Sequence, residues 1–347
     1  MEEKAFIEFQ AHLPMTSMEE LMYLIGEAQK MYASYGITTV QDGMIAKPLF
    51  QLLKSASSNG LLKLDVVGYA DIMTAADLPE EERDYANRYK DHFKLGGYKV
   101  FLDGSPQGRT AWMSEPYEGD NAYCGYPIHT DEALRGYIEL ALEKKQQLLA
   151  HCNGDAAADQ MIAAYRKARA ACPNNVRPVM VHAQLVRRDQ LAEMARLGML
   201  ASFFAAHVYH WGDAHLKNFG EKRAAGISPV RTALALGVHC NFHQDSPVLP
   251  PDMLETLRCV IERRTKAGVL LGPDERVTPL EALRCMTIGG AYAYFEENEK
   301  GTLESGKIAD MVVLNRDPAA CPAEALGELQ VLATIKNGKT VYQREAK

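Results

Sequence analysis

Four residues of types that bind metals or move protons fall at the ends of β-rich runs. They are Lys99 in YKVFLDG (98–104), His151 in QLLAHCNGD (147–155), His182 in PVMVHAQ (178–184) and Asp245 in VHCNFHQD (238–245). Neutral imidazoles and a carboxylate suit Zn²⁺ or another divalent ion, and an open position on such an ion holds a water whose pKa falls toward about 7. One strand-end histidine alone is more often a hydrogen-bonded packing residue. Two on consecutive strands, with an aspartate on the last, shift the balance to a metal. Lys99 taken alone reads as the ion-pair partner of Asp103 or another carboxylate at the mouth.

Alternation along the strands decides whether these groups can meet. In YKVFLDG the apolar set Tyr98, Val100 and Leu102 suits a helix-packed exterior and sends Lys99, Phe101 and Asp103 inward. In QLLAHC, Leu149 and His151 share a face opposite Leu148, Ala150 and Cys152. In VMVHAQ, Met180, His182 and Gln184 share one, and in VHCNFHQD so do His239, Asn241, His243 and Asp245.

The elements that must position them are recurrent. Runs at 37–42, 61–69, 98–104, 147–155, 178–184, 198–204 and 238–245 read as strands, with amphipathic stretches at 17–36, 131–146, 155–172 and 188–198 between them. That alternation predicts a parallel sheet with crossover helices. The spacing favours a (β/α)8 barrel of TIM type with seven strands visible, whose catalytic face is the C-terminal end of the strands. After a last helical region (279–295), GTLESGKIADMVVLNRDP and VLATIKNGKTVYQ read as short strands of a small β appendage. The division is therefore a barrel over 1–300 and a partial β-sandwich over 301–347. The segment 104–128, GSPQGRTAWMSEPYEGDNAYCGYPI, is too long for an ordinary connection and places Arg109, Trp112 and Tyr117 beside the mouth.

Bulk properties narrow the partners. A net charge of −7, with Lys and Arg scattered, offers no basic stripe for nucleic acid. No run approaches the roughly 18 apolar residues of a membrane span. The seven cysteines, at 124, 152, 172, 240, 259, 285 and 321, are odd in number and form no CxxC pair. They read as reduced thiols of a cytoplasmic protein acting on a small molecule.

Seven stretches together resemble the amidohydrolase superfamily, specifically its YtcJ-like branch, which includes N-substituted formamide deformylases. They are GITTVQDG (36–43), KVFLDGSPQGRTA (99–111), AHCNGDAAAD (150–159), VHAQLVRRDQL (181–191), LASFFAAHVYHWGDAH (200–215), HQDSPVLPP (243–251) and GTLESGKIADMVVLNRDP (301–318). The resemblance implies metal-dependent hydrolysis of amide-like C–N bonds. It casts Lys99 as a strand-4 lysine open to carbamylation, His151 and His182 as strand-5 and strand-6 ligands, and Asp245 as ligand and proton shuttle. His207 would approach the substrate. Separately from the resemblance, Arg109 and Trp112 on the 104–128 loop suit an anionic or aromatic substrate, the alternative being that the aromatics pack the loop down and Arg109 pairs with Asp103 or Glu115.

One departure is large. Relatives carry a first strand ending in His-x-His; this sequence has no such motif, and its first histidine, His12, stands alone. The reading is a shortened chain lacking strand 1 and half of the sandwich. It would hold at most one divalent metal, zinc by its donors, and cover its open seam by dimerisation. The alternative is a catalytically impaired homologue that keeps only the scaffold.

Overall fold

Short apolar strands, each followed by a helix that covers its outer face, account for the architecture. The computed structural model describes residues 16–120 and 122–345; His12 lies outside them. The first half comprises α1 (Met18–Ser34), β1 (Thr39–Ile45), α2 (Lys47–Ser58), β2 (Asp65–Asp71), α3 (Leu78–Glu81), β3 (Phe93–Phe101), α4 (Asp131–Glu143), β4 (Gln147–Cys152) and α5 (Asp155–Ala171). Then come β5 (Val179–His182), α6 (Arg188–Leu197), β6 (Leu200–Phe203), α7 (His207–Ala225), α8 (Val230–Ala235), β7 (Cys240–Phe242), α9 (Met253–Glu262), α10 (Pro279–Met286) and α11 (Ile288–Ala293). Strands β8 (Met311–Leu314), β9 (Val331–Lys336) and β10 (Lys339–Gln343) close the chain.

Strands β1 to β7 pair in sequence order, all parallel, into one curled sheet. Among the described residues β7 and β1 do not pair, so the barrel is open on that side. Val67, Tyr69, Leu149, Val179, Val181 and Leu200 form its inner core, while Tyr98, Val100, Leu148, Ala150, Met180 and Ala201 pack outward against the helices.

Several helices begin where the sequence supplies a side-chain cap. Ser17 accepts from the Glu20 amide at α1, Thr130 from the Ala133 amide at α4, and Thr278 with Glu281 forms a capping box at α10. The three-stranded antiparallel sheet β10-β9-β8 docks on α1, where the Thr334 hydroxyl donates to the Ala33 carbonyl at 2.6 Å.

A buried ionic chain ties this sheet to the strand starts. Lys94 meets Glu296 at 2.5 Å, Lys300 bridges Glu296 and Asp65, and Lys336 bridges Asp65 and Asp310 at 2.5 and 2.6 Å. Three cations face three carboxylates, so the network is internally neutral. Burial pushes the Asp65 carboxyl up, but the Lys300 and Lys336 ammonium groups outweigh it and hold the group below its ordinary value.

The described residues of the segment 104–128 form a cover over the rim. The Asp103 carboxylate accepts from the amides of Trp112, Asn153 and Gly154 at 3.0, 3.0 and 2.7 Å, and Ser114 donates twice to Asp155. Ala111, Met113 and Tyr117 then bury against Val208 and Phe219 of α7. Gly154 permits the close approach, since a Cβ there would lie 1.9 Å from the Trp112 carbonyl oxygen.

Candidate metal centre

Lys99, His151, His182 and Asp245 come from β3, β4, β5 and the segment leaving β7, all at the C-terminal rim. Alternation alone does not bring them together. Val179 and Val181 point inward and Met180 outward, so strict parity would send His182 outward as well. The backbone reverses this by entering the left-handed region at His182 (φ 74°) and Ala183 (φ 46°) as β5 ends. Asp245 is also left-handed, at φ 54°. Such conformations cost on the order of 1 kcal/mol or more each, and they concentrate where a side chain must be aimed.

The imidazoles form one chain. Ser202 Oγ lies 2.8 Å from His243 Nδ1, and His243 Nε2 lies 3.1 Å from His182 Nδ1. His182 Nε2 lies 3.0 Å from His151 Nδ1, and His151 Nε2 lies 3.1 Å from both the Gly104 carbonyl oxygen and Asn153 Nδ2. Neutral rings satisfy the chain in either direction, with Nε2–H ending on the Gly104 carbonyl or Nδ1–H ending on Ser202 Oγ. Burial keeps His182 and His243 neutral. It lowers His182 well below the ordinary histidine value, reinforced by His151, His243 and Lys99, and lowers His243 to about 4 despite the opposing charge of Asp245.

Donor atoms of His182, His243 and Asp245, one from each, all lie within 4.8 Å of one another. Two neutral imidazoles and a carboxylate fit a divalent cation such as zinc, and the 3.0 Å separation of His151 Nδ1 from His182 Nε2 lets these two nitrogens share an ion as well. His243 is the member that sequence reasoning left out, although it stands two residues before Asp245 on the same strand face. Lys99 is 5% exposed, its Nζ lies 5.2 Å from the Phe101 ring centroid, and it makes no ion pair among the described residues. Burial lowers its ammonium to about 8, with Asp245 pulling the other way. Asp103, the partner expected for it, is spent on backbone amides instead.

The three residues expected at the substrate have other neighbours. Arg109 sits over the Tyr117 ring at 5.2 Å and donates to the Glu118 carbonyl. Trp112 packs against the main core. His207 is buried between Phe204 and Trp211, its Nδ1 3.1 Å from His215 Nε2.

With this rim in place, the sequence model of the amidohydrolase family matches residues 1–342. The chain belongs to the amidohydrolase family. It is 29% identical over 260 residues to the YtcJ protein of Bacillus subtilis (strain 168), covering 73% of this chain and 48% of that protein. It is 28% identical over 319 residues to an N-substituted formamide deformylase of Arthrobacter pascens, covering 90% of this chain and 58% of that one. The chain thus spans about half the length of the curated relatives it matches. A crystal structure of an uncharacterized metal-dependent hydrolase from Pyrococcus furiosus superposes with a TM-score of 0.80 at 26% identity, over 91% of this chain and 65% of that one. No helix among the described residues is long and apolar enough to cross a membrane.

Proposed function

We propose that this chain carries the catalytic rim of a metal-dependent hydrolase acting on amide-like C–N bonds of small molecules. The observation that carries the reading is the convergence of His182, His243 and Asp245 donors within 4.8 Å, with His151 beside them. These residues would hold one divalent ion, zinc by its donor chemistry, which supplies Lewis acidity toward water and the substrate carbonyl.

The side chains do the rest. Asp245, exposed at the rim, accepts a proton from the attacking water as it bonds to the carbonyl carbon, then returns it to the nitrogen as the C–N bond breaks. Lys99, held near 8, keeps roughly a tenth or more of its amine unprotonated near neutral pH. That free amine can add CO₂ to give a carbamate, releasing a proton. The identity to a formamide deformylase makes N-substituted formamides the first substrates to test. Asp245→Asn is expected to lower hydrolysis of N-benzylformamide by about 100-fold or more while leaving the fold intact. Unchanged turnover would remove Asp245 from the mechanism.

A second reading, an impaired homologue keeping only the scaffold, is favoured by the imidazole chain itself, which satisfies its rings without an ion. Self-association belongs to the proposal too. Tyr23, Leu24 and Met31 of α1, Met44 of β1 and Val248 after β7 are exposed apolar groups on the elements at the two open sheet edges, which a second copy would cover. The seven unpaired thiols suit a reducing cytoplasm.

A further inference from the structure

Beside the metal-binding imidazoles lies a second histidine pair whose protons can be placed. His207, the first residue of α7, has its Nδ1 3.1 Å from Nε2 of His215, with the ring centroids 5.4 Å apart and the two planes 13° from parallel. His215 is fully buried against Phe219, and its Nδ1 has no hydrogen-bond partner among the described residues.

One proton lies between the two rings, and two arrangements are open. If His207 donated from Nδ1, a neutral His215 would carry its own proton on Nδ1 and bury an N–H with no acceptor, at a cost of about 1–3 kcal/mol. If His215 donates from Nε2, only a lone pair is left bare on its Nδ1, and an orphaned acceptor is the more tolerable defect. Charging either ring is disfavoured by burial and, for His207, by its place at a helix N-terminus.

The second arrangement fixes His207 as well. With Nδ1 accepting, its proton sits on Nε2, for which no hydrogen-bond partner is found among the described residues, on a side chain that is 4% exposed. The Phe204 ring neighbours both His207 and the rings of the candidate metal site, at centroid separations of 4.6 Å from His207, 5.4 Å from His243 and 6.2 Å from His182.

We propose that His215 is a positioning residue that locks His207 in its Nε2–H tautomer, so that His207 meets substrate as a neutral hydrogen-bond donor to the carbonyl oxygen of an amide. The tautomer assignment stands on the pair alone; the donor role rests on the hydrolase reading. A preorganised donor aimed at oxygen as it gains negative charge contributes about 100-fold to rate. It also selects substrates that present an acceptor there, against isosteres that lack one.

The test is long-range ¹H–¹⁵N correlation of the imidazoles in the ¹⁵N-histidine-labelled chain at about pH 7, with signals assigned from His207→Gln and His215→Gln. The expected result is Nε2–H, with bare Nδ1, on both rings. In His215→Phe, which keeps an aromatic ring against Phe219, the His207 Nδ1 resonance should move as it loses its donor. Hydrolysis of N-benzylformamide should fall about 100-fold, with partial recovery in His215→Gln. A proton on His207 Nδ1, or a doubly protonated ring, overturns the assignment. The expected tautomers in a chain that hydrolyses no formamide would leave the positioning intact and count against the hydrolase reading.

Discussion

Replacing Lys99 by methionine should make the protein more stable while removing a group the site needs. Lys99 is buried without an ion pair among the described residues, and its ammonium is lowered from the ordinary 10.5 to about 8, chiefly by burial. Carrying that charge in the fold below pH 8 therefore costs about 3 kcal/mol relative to the unfolded chain. Methionine keeps the apolar stem and carries no charge. For 347 residues, unfolding entropy of about 2.1 cal/mol/K per residue makes each degree of Tm worth about 0.7 kcal/mol, so the gain is roughly 4 °C. The sign of the pH dependence follows from the same shift. Between about 8 and 10.5 the unfolded chain binds the Lys99 proton and the folded chain does not, so wild-type stability rises with pH across that window. The advantage of Lys99→Met should be full below pH 8 and gone by about 10.5. Because Asp245 offsets part of the burial effect, the advantage should grow in an Asp245→Asn background. Thermal melts in chelated, CO₂-depleted buffer at several pH values measure this. A variant no more stable than wild type near neutrality, or with a gain independent of pH, would refute the reasoning.

Two further predictions concern the supports of the site. Asp65→Asn leaves three buried ammonium groups facing two carboxylates and should cost about 3–5 kcal/mol in chemical denaturation, with most of the loss recovered in Asp65→Asn/Lys336→Met. Because Asp65 and Glu296 are both held below their ordinary values, their contribution is present above the usual carboxylate range and should fade as pH falls through the depressed folded values. Asp103→Asn removes a charged acceptor shared by three backbone amides and should open the 104–128 cover, read as faster limited proteolysis within that segment.

Much of this architecture was legible in the sequence because parallel strands buried on both faces are short apolar runs between turn residues, and amphipathic stretches alternate with them. All seven runs became strands of the main sheet, in order. Helix α7 was not legible: its buried face carries His207, Gly212, His215 and Asn218 beside Val208 and Phe219, and a kink falls at Gly220 where φ reaches 70°, so it shows little amphipathic pattern. The aim of His182 was hidden for a different reason, since period-two alternation assumes an extended backbone and the left-handed turn at 182–183 breaks that assumption. His243 lay in view on the same face as Asp245, but the resemblance directed attention to the strand-5 and strand-6 histidines. The ionic chain under the sheet joins residues about 200 or more apart, such as Lys94 with Glu296 and Asp65 with Lys336, and no local pattern announces such pairs.

The central claim is that the rim of β4, β5 and β7 is built to hold a divalent ion. Titrating zinc into the chelated 347-residue chain, alongside His182→Ala and His243→Ala, tests it most directly, with circular dichroism to verify that each variant is folded. The account predicts about one ion bound per wild-type chain and affinity weakened by about 100-fold or more in each variant. Failure of the folded wild-type chain to bind zinc in stoichiometric amount, or binding by the two variants as tight as that of wild type, would contradict it.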